Sequence, residues 1–213
     1  MEWKVIKMFE EKTSIGKKLR EALKPTPLRK RITLSLSTMK IQLKRLDNTL
    51  RQLEQRDKRL YDRCVKAFHE KNQAMAAMYA NECAEIRKIA KMTLASQLAL
   101  ERVALRLETI REFGDIAYGM NAAAKVVNMI KDNLQNIIPE VSMKLEEVND
   151  SLQSMILEVG EATESTLSME ASSEEAEKIL AEANTLAEQK LRDAFPELPA
   201  VSAEEPGAKA TER

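Results

Sequence analysis

His69 is the one histidine in 213 residues, and Cys64 and Cys83 are the two cysteines. Acid–base, nucleophilic or metal chemistry needs several such groups converging on one point, each oriented by a partner. Neither cysteine belongs to a CxxC pair, and nothing surrounds His69 at ligand spacing, so no catalytic set and no structural zinc are expected. Phosphate-cradling loops of the GxxxxGKS/T or GxGxxG type are also missing. His69 reads as an exposed helix-end residue. The expectation is a protein without enzymatic activity, cofactor or small-molecule substrate.

Three segments carry binding chemistry instead. In the first, Val5, Ile6, Met8 and Phe9 fall within about 160° of arc at 100° per residue, with Trp3 flanking the arc and Lys4 and Lys7 opposite. Trp and Phe beside lysines equip a helix to lie in a bilayer interface. The same pattern also suits a short helix docked on its own core. The second segment is a basic face formed by Arg29, Lys30, Arg31, Lys40, Lys44, Arg45 and Arg51, continuing through Arg56, Lys58, Arg59, Arg63 and Lys66. Only Asp47, Glu54 and Asp57 intervene as acids between Arg29 and Tyr61. A charge run is usually a solvated face, but one this uniform also fits an anionic membrane surface or nucleic acid. Aromatic and glycine interleaving for base stacking is absent, which weighs against the latter. The third segment is Phe195-Pro196-Glu197-Leu198-Pro199, an apolar and proline string that a groove can bind at reduced entropic cost because its prolines pre-set an extended backbone.

Helices must position all three. The chain has 5 Gly and 6 Pro, and none of either in the 86 residues between Pro27 and Gly114. Leu36, Met39, Leu43, Leu46, Leu50, Leu53, Asp57, Leu60, Cys64 and Ala67 keep strict 3,4 spacing, a heptad seam interrupted by one charge, Asp57. That carboxylate either sits at a hairpin edge or fixes register. A second seam runs through Met75, Tyr79, Glu82, Ile86, Ile89, Thr93, Ser96, Leu100, Val103, Leu107 and Ile110. Folding back near Lys71 to Gln73 lets the seams bury each other, although no strong turn former marks the place. Thr26 and Pro27 supply an N-cap and a first-turn proline upstream. After Gly114 and Gly119, Val126, Ile130, Leu134 and Ile137 mark a shorter helix. Pro139 restarts the chain into a 4,3 repeat from Val141 to Val159 that Gly160 ends, and Ser172 with Glu175 forms a capping box for a last helix bearing Ile179, Leu180, Leu186 and Leu191. The division expected is an amphipathic segment (1–24), a helical core (25–160), a linker (161–173), a C-terminal helix (174–194) and a disordered tail (195–213).

Net charge is zero, yet residues 1–111 hold 26 Lys and Arg against 13 Asp and Glu, and residues 112–213 hold 8 against 21, so the halves carry +13 and −13. The acidic half can cover the basic one within a molecule or meet it in a neighbour. No stretch lacking Asp, Glu, Lys or Arg exceeds ten residues, which excludes a spanning helix of roughly 20 apolar residues. No secretory signal is legible, so a cytoplasmic protein is expected.

A basic first helix, a long second helix folded against it, shorter acidic helices and a tail with a proline motif together resemble ESCRT-III proteins, nearest to the archaeal cell-division (Cdv) branch. The stretches LKRLDNTLRQLEQRDKRLYDRC and LALERVALRLETIREFGDIA carry the likeness. FPELP resembles the proline-rich type of MIT-interacting motif, through Phe195, Pro196, Leu198 and Pro199. The resemblance implies an all-α fold, a long antiparallel helical hairpin followed by shorter helices, that forms polymers. It further implies a homopolymer that also engages other ESCRT-III subunits on the inner membrane face at the division site, constricts or severs membrane, and is disassembled by an AAA ATPase through its MIT domain. The tail leaves no room for a winged helix, which implies the paralogue lacking one.

Overall fold

A computed structural model describes residues 27–113, 116–163 and 169–199. Among them five helices and no strands follow in order: α1 (Leu28–His69), α2 (Gln73–Phe113), α3 (Ile116–Leu134), α4 (Pro139–Thr163) and α5 (Met169–Ala194). This is the all-α class and the long antiparallel hairpin that the seams imply. Trp3, Lys4, Val5, Ile6, Lys7, Met8 and Phe9, together with Thr26, lie outside the described residues.

α1 is a 42-residue helix, roughly 63 Å at 1.5 Å per residue. None of the ten positions of its seam is exposed: Leu36, Met39, Leu46, Leu50, Asp57, Cys64 and Ala67 are buried, and Leu43, Leu53 and Leu60 are half-buried. Pro27 takes the N-cap place, its carbonyl accepting the N–H groups of Lys30 and Arg31 at 2.8 and 3.2 Å. The seam of α2 matches expectation from Ile86 onward, but toward the tip it shifts by one residue. Ala76 and Cys83 are buried there, while Met75 and Glu82 are exposed. Close approach of the two backbones explains the shift. The Cys64 thiol donates to the Ala76 carbonyl at 3.3 Å and the Cys83 thiol to the Asp57 carbonyl at 3.9 Å, a spacing that large side chains would prevent.

The turn between the helices has an order its composition hides. Lys71 N–H bonds to the Phe68 carbonyl at 3.1 Å and Asn72 N–H to the Ala67 carbonyl at 3.0 Å, the pair of bonds that closes a Schellman motif. Lys71 therefore occupies the left-handed position, with φ 57°. Asn72 then caps the next helix, its Oδ1 accepting the Met75 N–H at 3.2 Å.

At the other end of the hairpin, α1 packs on α2 and α4, and α3 on α2 and α4, so four helices surround one core. Ile32, Met39, Leu46, Leu100, Leu107, Met120, Ile130, Leu145 and Leu152 fill it. α5 lies along α2 and α3. Gly119 allows α3 to approach α2, since a Cβ there would stand 2.8 Å from Ile110 Cδ1.

Three boundaries differ from the sequence expectation. α4 continues through Gly160 to Thr163, because one glycine costs about 1 kcal/mol and Glu161 and Ala162 favour helix. α5 starts at Met169, which shortens the linker expected over 161–173. Ser172 is accordingly not a cap but a buried residue within α5, at 1% exposure. Along α5 the packed positions are Ala176, Ile179, Ala183 and Ala187, while Leu186 is 45% exposed. Small residues again take the contact because the helix lies close to its neighbours. The third helix ends at Leu134, short of Ile137.

The left-handed Lys71 is the clearest local strain among the described residues. Replacing it with glycine, which adopts this conformation without Cβ crowding, should stabilise the hairpin by about 1 kcal/mol, read as a raised denaturation midpoint.

Candidate functional site

The charge division resolves into contacts within the molecule. Arg31 meets Glu158 at 2.7 Å and Arg45 meets Glu140 at 3.5 Å, joining α1 to α4. Lys91 meets Glu188 at 3.4 Å, and Arg102–Glu182 and Arg106–Glu175 continue the row, joining α2 to α5. The acidic distal helices thus lie on the basic hairpin of their own chain. The exposed pairs among these contribute about 0.2–1 kcal/mol each and weaken with salt, while Arg106–Glu175 is half-buried.

The expected basic face divides in two. Arg31, Lys40, Arg45 and Arg51 are engaged, with Glu158, Glu108, Glu140 and Asp47 respectively. Lys40 lowers the pKa of the Glu108 carboxyl, chiefly through its hydrogen bond. Arg29, Lys30 and Lys44 are exposed and make no ion pair among the described residues. Lys30 and Lys44 share a stripe with Leu34 and Ile41, which are 57% and 54% exposed. At 100° per residue these four lie within about 80° of arc, so cations flank two aliphatic side chains on one open face.

The most constructed polar site lies halfway along the hairpin. Asp57, at 2% exposure, accepts two hydrogen bonds from Arg87: Nε to Oδ1 at 2.8 Å and Nη2 to Oδ2 at 3.0 Å. This bidentate geometry orients the guanidinium as well as neutralising the carboxylate. The third nitrogen, Nη1, donates to the carbonyl of Pro196 at 2.7 Å. The same guanidinium stands over the Phe195 ring, 5.3 Å from its centroid. Phe195 is 9% exposed and packs with Leu50 and Ala90, ringed by Leu53, Leu94 and Leu191. Clefts of about 520 Å³ flank it on either side, one bounded by Tyr61 and Lys58, the other by Lys91 and Arg192.

The tail expected to be disordered from residue 195 is therefore docked at its start. Pro196 ends α5, and the aromatic ring before it finds apolar surface and a cation together, which outweighs the entropy of ordering it. Pro196 and Glu197 are exposed, Leu198 and Pro199 half-buried, and residues 200–213 lie outside the described residues. Asp57 takes the register-fixing role rather than the edge. Its partner Arg87 was not legible from motif or run. One signal could have found it: Asp57 stands fifteen residues before Asn72 and Arg87 fifteen after, so a hairpin turning at Asn72 sets the charges opposite each other.

His69 is exposed in the last turn of α1. Among the described residues no group of three or more His, Cys, Asp or Glu is placed to hold a metal ion. No described helix is long and apolar enough to cross a membrane. Cys64 and Cys83 are free and buried. Burial pushes both thiols up, Cys83 to about 11, with the Asp57 carboxylate adding to the effect.

Comparison with known proteins places this architecture. The chain is 38% identical over 196 residues to Cell division protein B1 of Sulfolobus acidocaldarius, covering 92% of each. It is 34% identical over 172 residues to Cell division protein B of the same organism, covering 81% of this chain and 66% of that one. No protein-family model matches, and no solved structure does.

Two expected outcomes follow from the geometry. Asp57→Ala leaves Arg87 without its buried partner and should lower stability by about 3 kcal/mol, whereas Asp57→Leu combined with Arg87→Met should recover most of that, measured by chemical denaturation. The folded thiols hold their protons more tightly than unfolded ones. Their contribution is therefore complete below pH 9 and lost as pH rises toward about 11. The double variant Cys64→Ala, Cys83→Ala should show a shallower fall in denaturation midpoint over that window.

Proposed function

Because the chain belongs to the cell division protein B family, the archaeal branch of ESCRT-III, and so takes part in cell division, we propose that it is a polymer subunit that remodels membrane. It assembles into filaments on the inner face of the membrane, constricts or severs that membrane, and has no catalytic activity of its own. The observation that carries this reading is the row of complementary charge between α5 and α2, which adds to the packing of Ala176, Ile179 and Ala183. The row of acids on α5 that pairs with Lys91, Arg102 and Arg106 can pair equally with a neighbour's α2. Release of one chain's α5 therefore creates two matching surfaces at once.

Membrane contact is supported by the open stripe of Lys30, Leu34, Ile41 and Lys44. Aliphatic side chains flanked by lysines suit an anionic interface, with the lysine stems covering apolar surface while their charges reach phosphate. Trp3, Val5, Ile6, Met8 and Phe9 extend the same chemistry to the N-terminal segment. Burying several such side chains at roughly 1.5–3 kcal/mol each, discounted for partial immersion, gives reversible binding that a polymer multiplies.

Disassembly belongs to an AAA ATPase whose MIT domain reads Phe195, Pro196, Leu198 and Pro199. Few side chains are buried in such a contact, so affinity is micromolar or weaker, and many tails on one filament supply the avidity.

The deciding experiment mixes purified protein with anionic liposomes and follows pelleting and electron micrographs across salt concentrations. Filaments on the liposomes, fewer at high salt, are the expected result. A chain that stays monomeric under every condition would sink the proposal. Trp3→Ser with Phe9→Ser should reduce pelleting without loss of helix. Leu198→Asp should remove MIT binding to a peptide spanning Asp193 to Pro206 and leave pelleting unchanged.

A further inference from the structure

We propose that the tip of the hairpin is a membrane-contact element of its own, which dips Phe68, Met75 and Met78 into the interface of an anionic bilayer. The proposal rests on the membrane reading given above and adds to it a site that neither the α1 stripe nor the N-terminal segment contains.

The tip carries large apolar side chains that the fold does not need. Phe68, in the last turn of α1, is 46% exposed, and Met75 and Met78, in the first two turns of α2, are 37% and 46% exposed. Cys64, Ala67, Ala76 and Cys83 close the seam at this end, so no packing position calls for the three larger residues. Single exposed apolar side chains are ordinary, but a cluster marks a contact surface. The two methionines also stand in the longest run of the chain without Asp, Glu, Lys or Arg, Asn72 to Asn81. Ala74, Met75 and Met78 face water there, whereas the outer faces farther along the hairpin are rich in charge. Methionine, unbranched and adaptable, suits a partner without fixed shape.

Cations ring this apolar end. Arg63 and Lys66 line a cleft of about 280 Å³ together with Met75 and Tyr79, and Lys71 stands in the turn itself. From Arg63 to Asn81 the one acid is Glu70, 3.9 Å from Lys66. Long cationic side chains lay their stems along apolar surface while their charges reach lipid phosphates, so a basic collar around Phe and Met fits an anionic interface. Area decides between a bilayer and a protein. A helix with its side chains is about 10–12 Å across, so the end of a two-helix hairpin presents roughly 200 Å². A stable protein interface needs about 800 Å² per partner. A bilayer sets no such minimum, because a small insertion repeated along a filament adds up. Phe68 lies about 36 Å along α1 from Lys44, where the α1 stripe ends, so the two contacts are separable by mutation.

The test puts an environment-sensitive nitrobenzoxadiazole label on Met78→Cys in a full-length chain that also carries Cys64→Ala and Cys83→Ala. Gln153→Cys on α4, exposed and remote from the tip, carries the label in a reference chain. Vesicles are either equal parts phosphatidylglycerol and phosphatidylcholine or phosphatidylcholine alone. Emission from the tip label should shift to the blue, and be quenched by nitroxide lipid, on the anionic vesicles only; the α4 label should do neither. In the otherwise native chain, Phe68→Ser with Met75→Ser and Met78→Ser should lower partition onto anionic vesicles at least tenfold while the denaturation midpoint holds, because all three residues are exposed. Wild-type chain that pellets with no shift of the tip label, or a triple variant that pellets as wild type does, overturns the tip contact and leaves the membrane reading standing. Wild-type chain that does not pellet at all overturns both. A blue shift that grows with protein concentration in the absence of vesicles assigns the tip to a second copy of the chain and overturns the proposal.

Discussion

Asp57 is a carboxylate at 2% exposure inside a seam of leucines. Such a group is tolerated only where an opposite charge meets it at hydrogen-bonding distance, because the desolvation cost otherwise exceeds what the surrounding packing returns. One alignment of α1 against α2 puts Arg87 there. Sliding one helix by a single turn would separate the pair by about 5.4 Å and leave both charges stranded. The pair therefore specifies register, as isolated polar residues in coiled coils do. Much else follows from that alignment. It obliges the chain to reverse within Glu70 to Asn72 and accept Lys71 in a left-handed conformation. It brings Cys64 to the Ala76 carbonyl. It also aims the remaining guanidinium nitrogen at the place where the last helix ends.

The energetic character of the two interfaces on the hairpin differs. α1, α2, α3 and α4 share a core of large aliphatic side chains. α5 adds only Ala176, Ile179 and Ala183 to that core, and is otherwise held by Ala187, a row of ion pairs and one aromatic anchor. Each contact there is small, and no single one is hard to exchange for an equivalent contact elsewhere. A segment held in this way can be fully docked at rest and still be surrendered without disturbing the four-helix part.

The sequence made the long helices plain, because 86 residues without Gly or Pro leave little else possible and the heptad of α1 points at residues that are in fact covered. The repeat in α4 was equally legible, with Val141, Leu145, Val148, Leu152 and Met155 all buried. Reading by size failed where helices come closest. Met75 and Leu186 looked like seam residues and are exposed, while Ala76, Ala183 and Ala187 hold the contacts. A hydrophobic pattern weights large side chains, but close backbone approach selects small ones. The turn was hidden because backbone carbonyls and Asn72 do the work that glycine usually does. Arg87 was hidden because a charge becomes visible as a site only once its partner across the hairpin is known. Phe195 read as tail because a short proline string carries no record of the surface that receives it.

The buried seam between Asp57 and the turn is made of Cys64, Ala67, Ala76 and Cys83, whereas the seam on the other side of Asp57 contains the larger Leu36, Met39, Leu46, Leu50, Leu100, Val103 and Leu107. Apolar area removed from water per residue is therefore much lower in the outer part, and the free energy of local opening scales with that area. The hairpin is graded along its length. Amide protons near Lys71 sit at the low end of that gradient and exchange through fraying that begins at the loop and runs inward. The fraying meets its first steep step at the Asp57–Arg87 pair, where continuing would strand a buried charge. The outer third of the hairpin thus behaves as a soft tip on a stiff stem, and the boundary between them coincides with the point at which the C-terminal segment is gripped.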